Sequence, residues 1–220
     1  MWKGFLAGLV VANGFEWVAH KYILHGTHRA GKPRYSPVPD SMKSHCEHHR
    51  EVRKTDFHDH GYVEGVSNWR TRNEIISLAV VAGVFGTAFY PVSKGMSLAV
   101  LYCAGNYYYI HRRAHLEPEW AMKRIPWHYD HHMNSNQDAN WCVTKPWFDY
   151  ILGTRVISAP ELQEANPLGI LLPPLLSDAL TRAVNKVRPA KWVERKLKAI
   201  EGAEAAAPAE AGQGGAAAAL

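Results

Sequence analysis

The chain has 220 residues, of which 47% are hydrophobic and 20% charged, with a formal net charge of +5 and three cysteines. This length is enough for one domain with a sizeable core. The cysteines are isolated, odd in number and without CxxC spacing, which argues against a disulfide framework and indicates a reducing compartment. No nucleic-acid recognition motif accompanies the basic charge, so the charge favours contact with anionic lipid over nucleic acid.

The first predicted element is a membrane helix over residues 2–19, which are mostly apolar but include Lys3, Asn13 and Glu16. Eighteen helical residues span roughly 27 Å, which is most of a bilayer core. Glu16 comes one turn before His20, so it either faces that histidine or lies at the membrane interface. A signal peptide is the alternative, but no Ala-x-Ala cleavage site follows the apolar stretch.

Residues 26–73 are expected to form a long polar connection. Gly31 and three prolines, Pro33, Pro37 and Pro39, break any helix there. Asp40 or Ser41 would then cap a helix that carries three histidines, His45, His48 and His49. Three further histidines are interpreted as surface residues or as neighbours of a site: His28, His58 and His60.

The clearest membrane span is Ile75 to Val92, eighteen residues without a formal charge. Residues 91–95 would make a tight turn, and Met96 to Ile110 would return and end at His111, giving a helical hairpin. A buried helix pair of a soluble protein is the alternative, because the second arm is short and contains Asn106.

If residues 2–19 cross the membrane, all the histidine-bearing helix ends lie on one face. Residues 21–73 and 111–155 are rich in Lys and Arg, so the positive-inside rule places that face in the cytoplasm and the N-terminus outside. The sequence thus predicts an integral membrane protein with its histidines on the cytoplasmic face, and a bacterial inner membrane is favoured over the endoplasmic reticulum.

Ten of the thirteen histidines fall into four short groups. Spacings of three and four residues place histidines on one face of a helix. The groups are His20 and His25; His45, His48 and His49; His111 and His115; and His128, His131 and His132.

Imidazole suits zinc, copper, iron and nickel. A polar helix face would be the simpler explanation of a single histidine pair. It does not explain four groups in one short chain. Ten imidazoles are too many for one ion and about right for two ions sharing a pocket, so all ten are candidate metal ligands. Five other residues are candidates to orient the rings, although each could be an ordinary cap or turn residue: Asp130, Asn134, Asp138, Asn140 and Asp149.

The series His-x4-His, His-x2-His-His, His-x3-His, His-x2-His-His resembles the membrane-bound fatty acid hydroxylase and sterol desaturase superfamily over about residues 10 to 156. The segment after His132 is also similar, with Asn134, Asn140 and the string Trp147-Phe148-Asp149-Tyr150-Ile151-Leu152-Gly153-Thr154. The resemblance implies an all-α fold of integral membrane helices with a cytoplasmic helical cap. It also implies two iron ions, O2 as co-substrate and hydroxylation of a lipid C–H bond, with a fatty acyl chain as the expected substrate.

Zinc could occupy such a site in purified protein, because ligand type barely separates the two metals. No residue beyond the metal ligands is assigned a catalytic role, and no organic cofactor is expected. Only nineteen residues precede His20, and no flavin or nicotinamide fingerprint is present. The electrons are therefore expected from a separate donor protein of cytochrome b5, ferredoxin or reductase type.

Three alternatives stay open. The stretch from His20 to Gly26 is very similar to the first motif of carotenoid ring hydroxylases, although nineteen residues then separate His25 from His45. Desaturation of a sterol or another lipid is the second alternative. The third is a non-enzymatic metal-binding membrane protein, which would need ligands within the spans to pass an ion across. A soluble zinc hydrolase is disfavoured because no His-Glu-x-x-His occurs.

The sequence divides into a membrane-embedded catalytic domain over residues 1–158 and two C-terminal parts. Residues 159–200 are predicted to be amphipathic, with one or two helices from Ser177 to Ile200 that lie on the membrane surface or pack on the catalytic domain. Residues 201–220 are an Ala/Gly-rich tail with almost nothing to bury, and are predicted to be disordered.

Overall fold

A computed structural model describes residues 1–26 and 39–187, and every regular element among them is helical, as predicted. Residues Met1–Leu180 form one compact unit. The α-helices are α1 (Trp2–Val18), α2 (Asp40–Lys54), α3 (Gly61–Glu64), α4 (Trp69–Phe89), α5 (Lys94–Leu116), α6 (Pro118–Arg124), α7 (Pro126–Met133), α8 (Trp147–Ile151) and α9 (Pro174–Val187). A π-helical turn, Ala19–Leu24, continues α1, and two short 3₁₀ turns lie at Gly65–Ser67 and Pro160–Leu162.

The three long helices α1, α4 and α5 pack together, with α5 in contact with both of the others. Helices α1 and α5 run in the same direction and approach closely at glycines. A Cβ on Gly8 would lie 2.5 Å from Cβ of Ala99, and one on Gly95 would lie 2.1 Å from the carbonyl oxygen of Met1. The N-terminus therefore lies at the same end as the α4–α5 turn, and the histidines at the C-terminal ends of α1 and α5 lie at the other end.

The hairpin is present, but its arms have different bounds from those predicted. Helix α4 begins at Trp69 rather than Ile75, because the Asn68 side chain accepts a hydrogen bond from the Arg70 N–H (3.0 Å) and caps it. It ends at Phe89, because Pro91 has no N–H to donate to the carbonyl of Thr87 and so cannot continue the helix. Helix α5 begins directly after Ser93, whose hydroxyl accepts from the Met96 N–H (3.3 Å), so the predicted 91–95 turn is shorter.

Among residues 1–26 and 39–187, one helix, Trp69–Phe89, is long and apolar enough to cross a membrane, judged by length and composition alone. Helices α1 and α5, which were also assigned to the membrane, do not meet that measure. Helix α1 has 17 residues, and α5 includes Asn106 and a basic C-terminal end.

Two polar residues in the second half of α1, Asn13 and Glu16, contact the rest of the protein. The side-chain amide of Asn13 donates to the Lys145 carbonyl (2.9 Å). The Glu16 carboxylate accepts from the Thr144 N–H (2.8 Å), the Thr144 hydroxyl (2.6 Å) and the Val143 N–H. These bonds satisfy groups that would be costly in lipid, and they attach α1 to the 143–145 segment.

Helix α2 starts at Asp40, with Pro39 in the cap position and no capping side chain, so the prediction that Asp40 or Ser41 caps it was wrong. Asp40 instead lies in the first turn, where a carboxylate is favourable. The predicted chain breakers Gly31, Pro33 and Pro37 lie outside the described residues. So do His28, residues 188–200 and the 201–220 tail.

Candidate metal centre

Five histidines form the first histidine cluster, in which one ring nitrogen of each lies within 4.8 Å of the others: His20, His25, His45, His49 and His131. They come from the π-helical turn and the residue after it, from α2 and from α7. The Nε2 atom of His45 lies 3.0 Å from both His20 Nε2 and His25 Nε2, and His131 Nε2 lies 3.2 Å from His25 Nε2.

Four histidines form the second histidine cluster by the same measure: His48, His111, His115 and His132. They come from α2, from the C-terminal end of α5 and from α7. His128 is outside both groups of mutually close nitrogens, but it borders the second cluster, because its Nε2 lies 3.2 Å from His115 Nε2. All four cluster members and His128 are buried.

The structure brings together all ten histidines, but its two clusters do not follow the four groups seen in the sequence. Helix α2 gives His45 and His49 to the first cluster and His48 to the second. Helix α7 likewise gives adjacent residues, His131 and His132, to different clusters. The rings of His49 and His132 stack across the boundary with centroids 4.0 Å apart. The two clusters are therefore one continuous pocket wall.

Five of the rings have their outer nitrogen fixed by an acceptor. Nδ1 of His20 donates to the Trp141 carbonyl (2.5 Å), and Nδ1 of His131 to the Ala139 carbonyl (2.8 Å). Nδ1 of His115 donates to the Phe57 carbonyl (2.9 Å). Because a carbonyl can only accept, each of these rings carries its proton on Nδ1 and turns an unprotonated Nε2 toward its neighbours.

Two carboxylates fix the other two rings, both in the second cluster. Nδ1 of His48 donates to Asp59 (2.8 Å), and Nδ1 of His111 donates to Glu74 (2.6 Å). The Tyr62 hydroxyl donates to Glu74 (2.6 Å) and holds that carboxylate in place. Burial raises the pKa of Asp59, but its hydrogen bonds with His48 and Arg70 outweigh this and lower it to about 2, so Asp59 is ionised.

Neither carboxylate was predicted from the sequence, whose pattern pointed to residues in or after α7 instead. Asp130 binds Arg155 (2.8 Å), and Asn140 binds the backbone of Val156 (2.9 Å). No sequence spacing related Asp59 to a histidine group, so it could not be predicted. Glu74 could have been found, because a carboxylate at the start of an apolar span needs a partner.

Asp149 acts one step further from the rings. Its carboxylate accepts from the backbone N–H groups of Trp141 and Cys142 (2.8 Å each) and from the Thr154 hydroxyl (2.6 Å). It thereby fixes the 141–142 backbone, whose carbonyl at Trp141 orients His20. Gly153 has φ +70°, a conformation that favours glycine. The segment from Trp147 to Thr154 thus orients His20 of the first cluster indirectly, through the Trp141 backbone.

Several inward nitrogens lack the partner that burial normally requires. Within the described residues, Nε2 of His48 and His111, Nδ1 of His128 and both ring nitrogens of His49 and His132 are buried without a hydrogen bond. Leaving such groups unpaired is costly, and unprotonated nitrogens pointing at one another repel. A cation bound by the unprotonated nitrogens would remove this repulsion and would give those nitrogens a partner.

The distances fit such an ion. Two nitrogens bound to one metal at about 2.0–2.1 Å, at angles between a right angle and tetrahedral, lie about 2.8–3.4 Å apart. The Nε2–Nε2 distances of 3.0–3.2 Å in the first cluster match this range. The donor set is all nitrogen, which suits zinc or a redox-active transition metal more than calcium or magnesium.

Burial lowers the pKa of the six histidines of α2 and α7, which keeps them neutral and able to bind a metal: His45, His48, His49, His128, His131 and His132. For His131 burial outweighs the hydrogen bond to Ala139 and lowers the pKa to about 4, whereas an unfolded histidine titrates near 6.5. Between these values the unfolded chain binds protons that the folded chain does not, so the free energy of unfolding falls as the pH falls. His131 alone accounts for up to about 3 kcal/mol of this loss.

We therefore expect metal-free protein to lose thermal stability between about pH 6.5 and pH 4, and metal to oppose the loss at its upper end. Thermal denaturation at a series of pH values, with and without added metal, measures this. A melting temperature that stays constant from pH 6.5 to pH 5 in metal-free protein would contradict it.

The described histidines outside the four groups stay outside the clusters. His60 is exposed and His58 half-buried, and their rings stack on each other with centroids 6.1 Å apart.

A cavity of about 240 Å³ opens onto one side of the clusters. Three helices line its apolar part, including Val11 and Phe15 of α1, Val81 and Phe85 of α4, and Val100 of α5. Its other part reaches four histidines, two from each histidine cluster: His20, His45, His48 and His111. The clusters are thus buried but adjoin a space that could hold an apolar molecule.

The fold and the site define an all-helical protein with two adjoining buried histidine clusters that could hold metal ions. No family model, curated protein or solved structure matches this chain. The resemblance described above therefore rests on the histidine pattern and the segment that follows it.

Proposed function

We propose that this protein is a membrane-bound di-iron oxygenase that hydroxylates a C–H bond of a lipid, with a fatty acyl chain as substrate. The observation that carries the proposal is the joining of two histidine clusters, each with enough nitrogen donors for one ion, to an apolar cavity. Iron, when bound, supplies the change of oxidation state needed to activate O2, which zinc does not. One oxygen atom enters the C–H bond, and the other leaves as water with a pair of electrons and protons.

The chain's own residues would position the metal ligands, orient their rings and exclude water from the pocket. The fixed Nδ1–H groups of His20, His115 and His131 direct their Nε2 lone pairs inward before any ion arrives. Buried aromatic residues enclose the pocket, with Trp141 beside the first cluster and Phe57 beside the second. A dry pocket protects reactive species from water and strengthens electrostatic interactions.

Membrane insertion is part of the proposal. Only 11% of the apolar stretch of Trp69–Phe89 is buried within the protein, unlike the core helix of a soluble domain. Large apolar side chains are also exposed along all three long helices, which suits contact with lipid. They include Leu6 and Val10 of α1, Ile76, Val80 and Val84 of α4, and Leu98 and Leu101 of α5.

The parallel arrangement of α1 and α5 gives a prediction for topology. With the histidines in the cytoplasm, Lys3 should lie outside together with the α4–α5 turn. In a background in which the three native cysteines are replaced by alanine, Lys3→Cys should react with a membrane-impermeant thiol reagent in intact cells. His58→Cys, the matched control near the histidines, should react only after lysis. Labelling of Lys3→Cys only after lysis, in active protein, would place the N-terminus inside.

The proposed function is tested by metal analysis together with product analysis. Protein purified in detergent and loaded anaerobically with Fe²⁺ should hold about two ions per chain. Lipids from cells with and without the protein should differ by hydroxylated species detectable by mass spectrometry. A separate donor protein of cytochrome b5, ferredoxin or reductase type must supply the electrons, so a chemical reductant serves as substitute in vitro. Stoichiometric metal without any lipid oxidation product would favour a non-enzymatic metal-binding protein.

A further inference from the structure

The cavity beside the clusters changes from apolar to polar along its length. The face of α4 that lines it includes, from the α4–α5 turn toward the cytoplasmic end, Phe89, Phe85, Val81, Glu74 and Arg70. Helices α1 and α5 follow the same order, since their lining residues run from Val11 to His20 and from Val100 to His111. Helix α2 adds two hydroxyl side chains to the lining, Ser41 and Ser44. The histidines therefore lie near the boundary between an apolar arm and a polar end.

Helix geometry gives the proportions of the two parts. Glu74, which contacts His111, marks the level of the second cluster on α4. At 1.5 Å per residue, Phe89 lies about 22 Å from Glu74 along the helix, whereas Arg70 lies about 6 Å away in the opposite direction. The apolar arm is thus several times longer than the distance from the histidines to the polar end.

The polar end has a donor suited to an anion. Arg70 lines the cavity, and its Nη2 donates to Asp59 (2.7 Å), but its Nε is buried without a hydrogen bond in the described part of the chain. A guanidinium has several fixed donors and can bind a second carboxylate while it keeps the first. The Arg70 side chain is 18% exposed, so a polar group at this end can reach it.

The apolar arm suits one extended chain. The rings of Phe15 and Phe85 lie 4.9 Å apart where α1 and α4 face each other, which narrows the space between these helices. Burial of methylene groups against such walls is favourable. A molecule without a polar head would leave the Arg70 end unused.

We propose that the cavity binds a single-chain lipid with its carboxylate head at Arg70 and its acyl chain along the arm toward Phe89. The carbon presented to the histidines is then close to the head group, not in the middle or at the end of the chain. That this ligand is the substrate rests on the proposed function, whereas its orientation in the cavity does not.

Binding of three probes of equal chain length tests the head-group site: palmitate, methyl palmitate and hexadecane. Metal-loaded protein in detergent is titrated with each probe, and displacement of a fluorescent fatty acid is measured. Palmitate should bind roughly tenfold or more tighter than methyl palmitate, because a hydrogen bond to a charged group contributes about 1.5–3 kcal/mol. Arg70→Gln should remove this preference, and Arg70→Lys should retain part of it. Equal binding of all three probes by the unaltered protein would overturn the head-group site.

A second pair of variants tests the arm and is independent of the Arg70–Asp59 contact. Val81→Phe, which fills the arm, should weaken palmitate binding at least about tenfold. Val84→Phe, a matched control one turn away on the exposed face of α4, should leave it unchanged. Metal content, measured in all variants, shows that each retains the clusters. Equal effects of the two substitutions would overturn the arm as the chain site.

Product analysis then separates this inference from the proposed function. A new hydroxyl group near the carboxylate supports the orientation, and one in the distal half of the chain overturns it while the proposed hydroxylase stands. Absence of any oxygenated product, with the predicted binding pattern intact, would overturn the proposed hydroxylase and support the orientation.

Discussion

Replacement of His131 or His132 by alanine is expected to abolish turnover and to lower metal content from about two ions per chain to about one. Adjacent on α7, these residues belong to different histidine clusters. Each substitution removes one nitrogen donor and leaves a cavity in a fully buried pocket. His128→Ala is also expected to abolish turnover, since His128 borders the second cluster.

The matched controls are His58→Ala and His60→Ala, which should keep most of the activity and all of the metal. Both residues belong to the described part of the chain and lie outside the clusters. Elemental analysis and turnover are measured on the same preparations, with circular dichroism to establish folding. Equal losses in the control and the α7 variants would show that the boundary of the site is wrong. A stoichiometry of one ion in the unaltered protein, at saturating metal, would rule out a dinuclear centre.

Substitution of the two carboxylates that orient rings should affect only the second cluster. Asp59→Asn and Glu74→Gln keep side-chain size but remove the charge behind His48 and His111. Loss of such a partner typically costs 10–100-fold in metal affinity. The described contacts of the first cluster are with the carbonyls of Trp141 and Ala139, so its affinity should stay unchanged.

Competition with a chelator of known affinity measures this effect, because the two ions should then be lost in separate steps. Glu117→Gln is the control, since Glu117 is exposed and pairs with Arg113 on the surface. Asp59 also binds Arg70 and the Gly61 N–H, so Asp59→Asn could disturb the 59–61 turn. Glu74 lies on a different element and gives an independent test. Parallel weakening of both ions by Glu74→Gln would contradict a division into two clusters.

Three of the four histidine groups could be predicted from the sequence, because spacings of three and four residues place side chains on one helix face whatever the tertiary structure. His20 and His25 are five residues apart, and the π-helical turn at Ala19–Leu24 connects them. The all-α class was implied by the resemblance of the histidine pattern, and the hairpin followed from two long apolar stretches separated by a turn. The helix bounds did not, because Asn68 and Ser93 cap their helices through side-chain contacts that the apolar pattern does not include.

Only the tertiary structure decided which histidines share a cluster and what orients them. Around the axis of α2, His48 is rotated about 100° from His49 and about 60° from His45. The packing of α5 and α7 around that helix determines which ring faces which partner. Asp59 and Glu74 reach their rings across 11 and 37 residues of sequence, respectively. Such contacts depend on where loops and helices meet in space, which the local spacing of residues in the sequence does not predict.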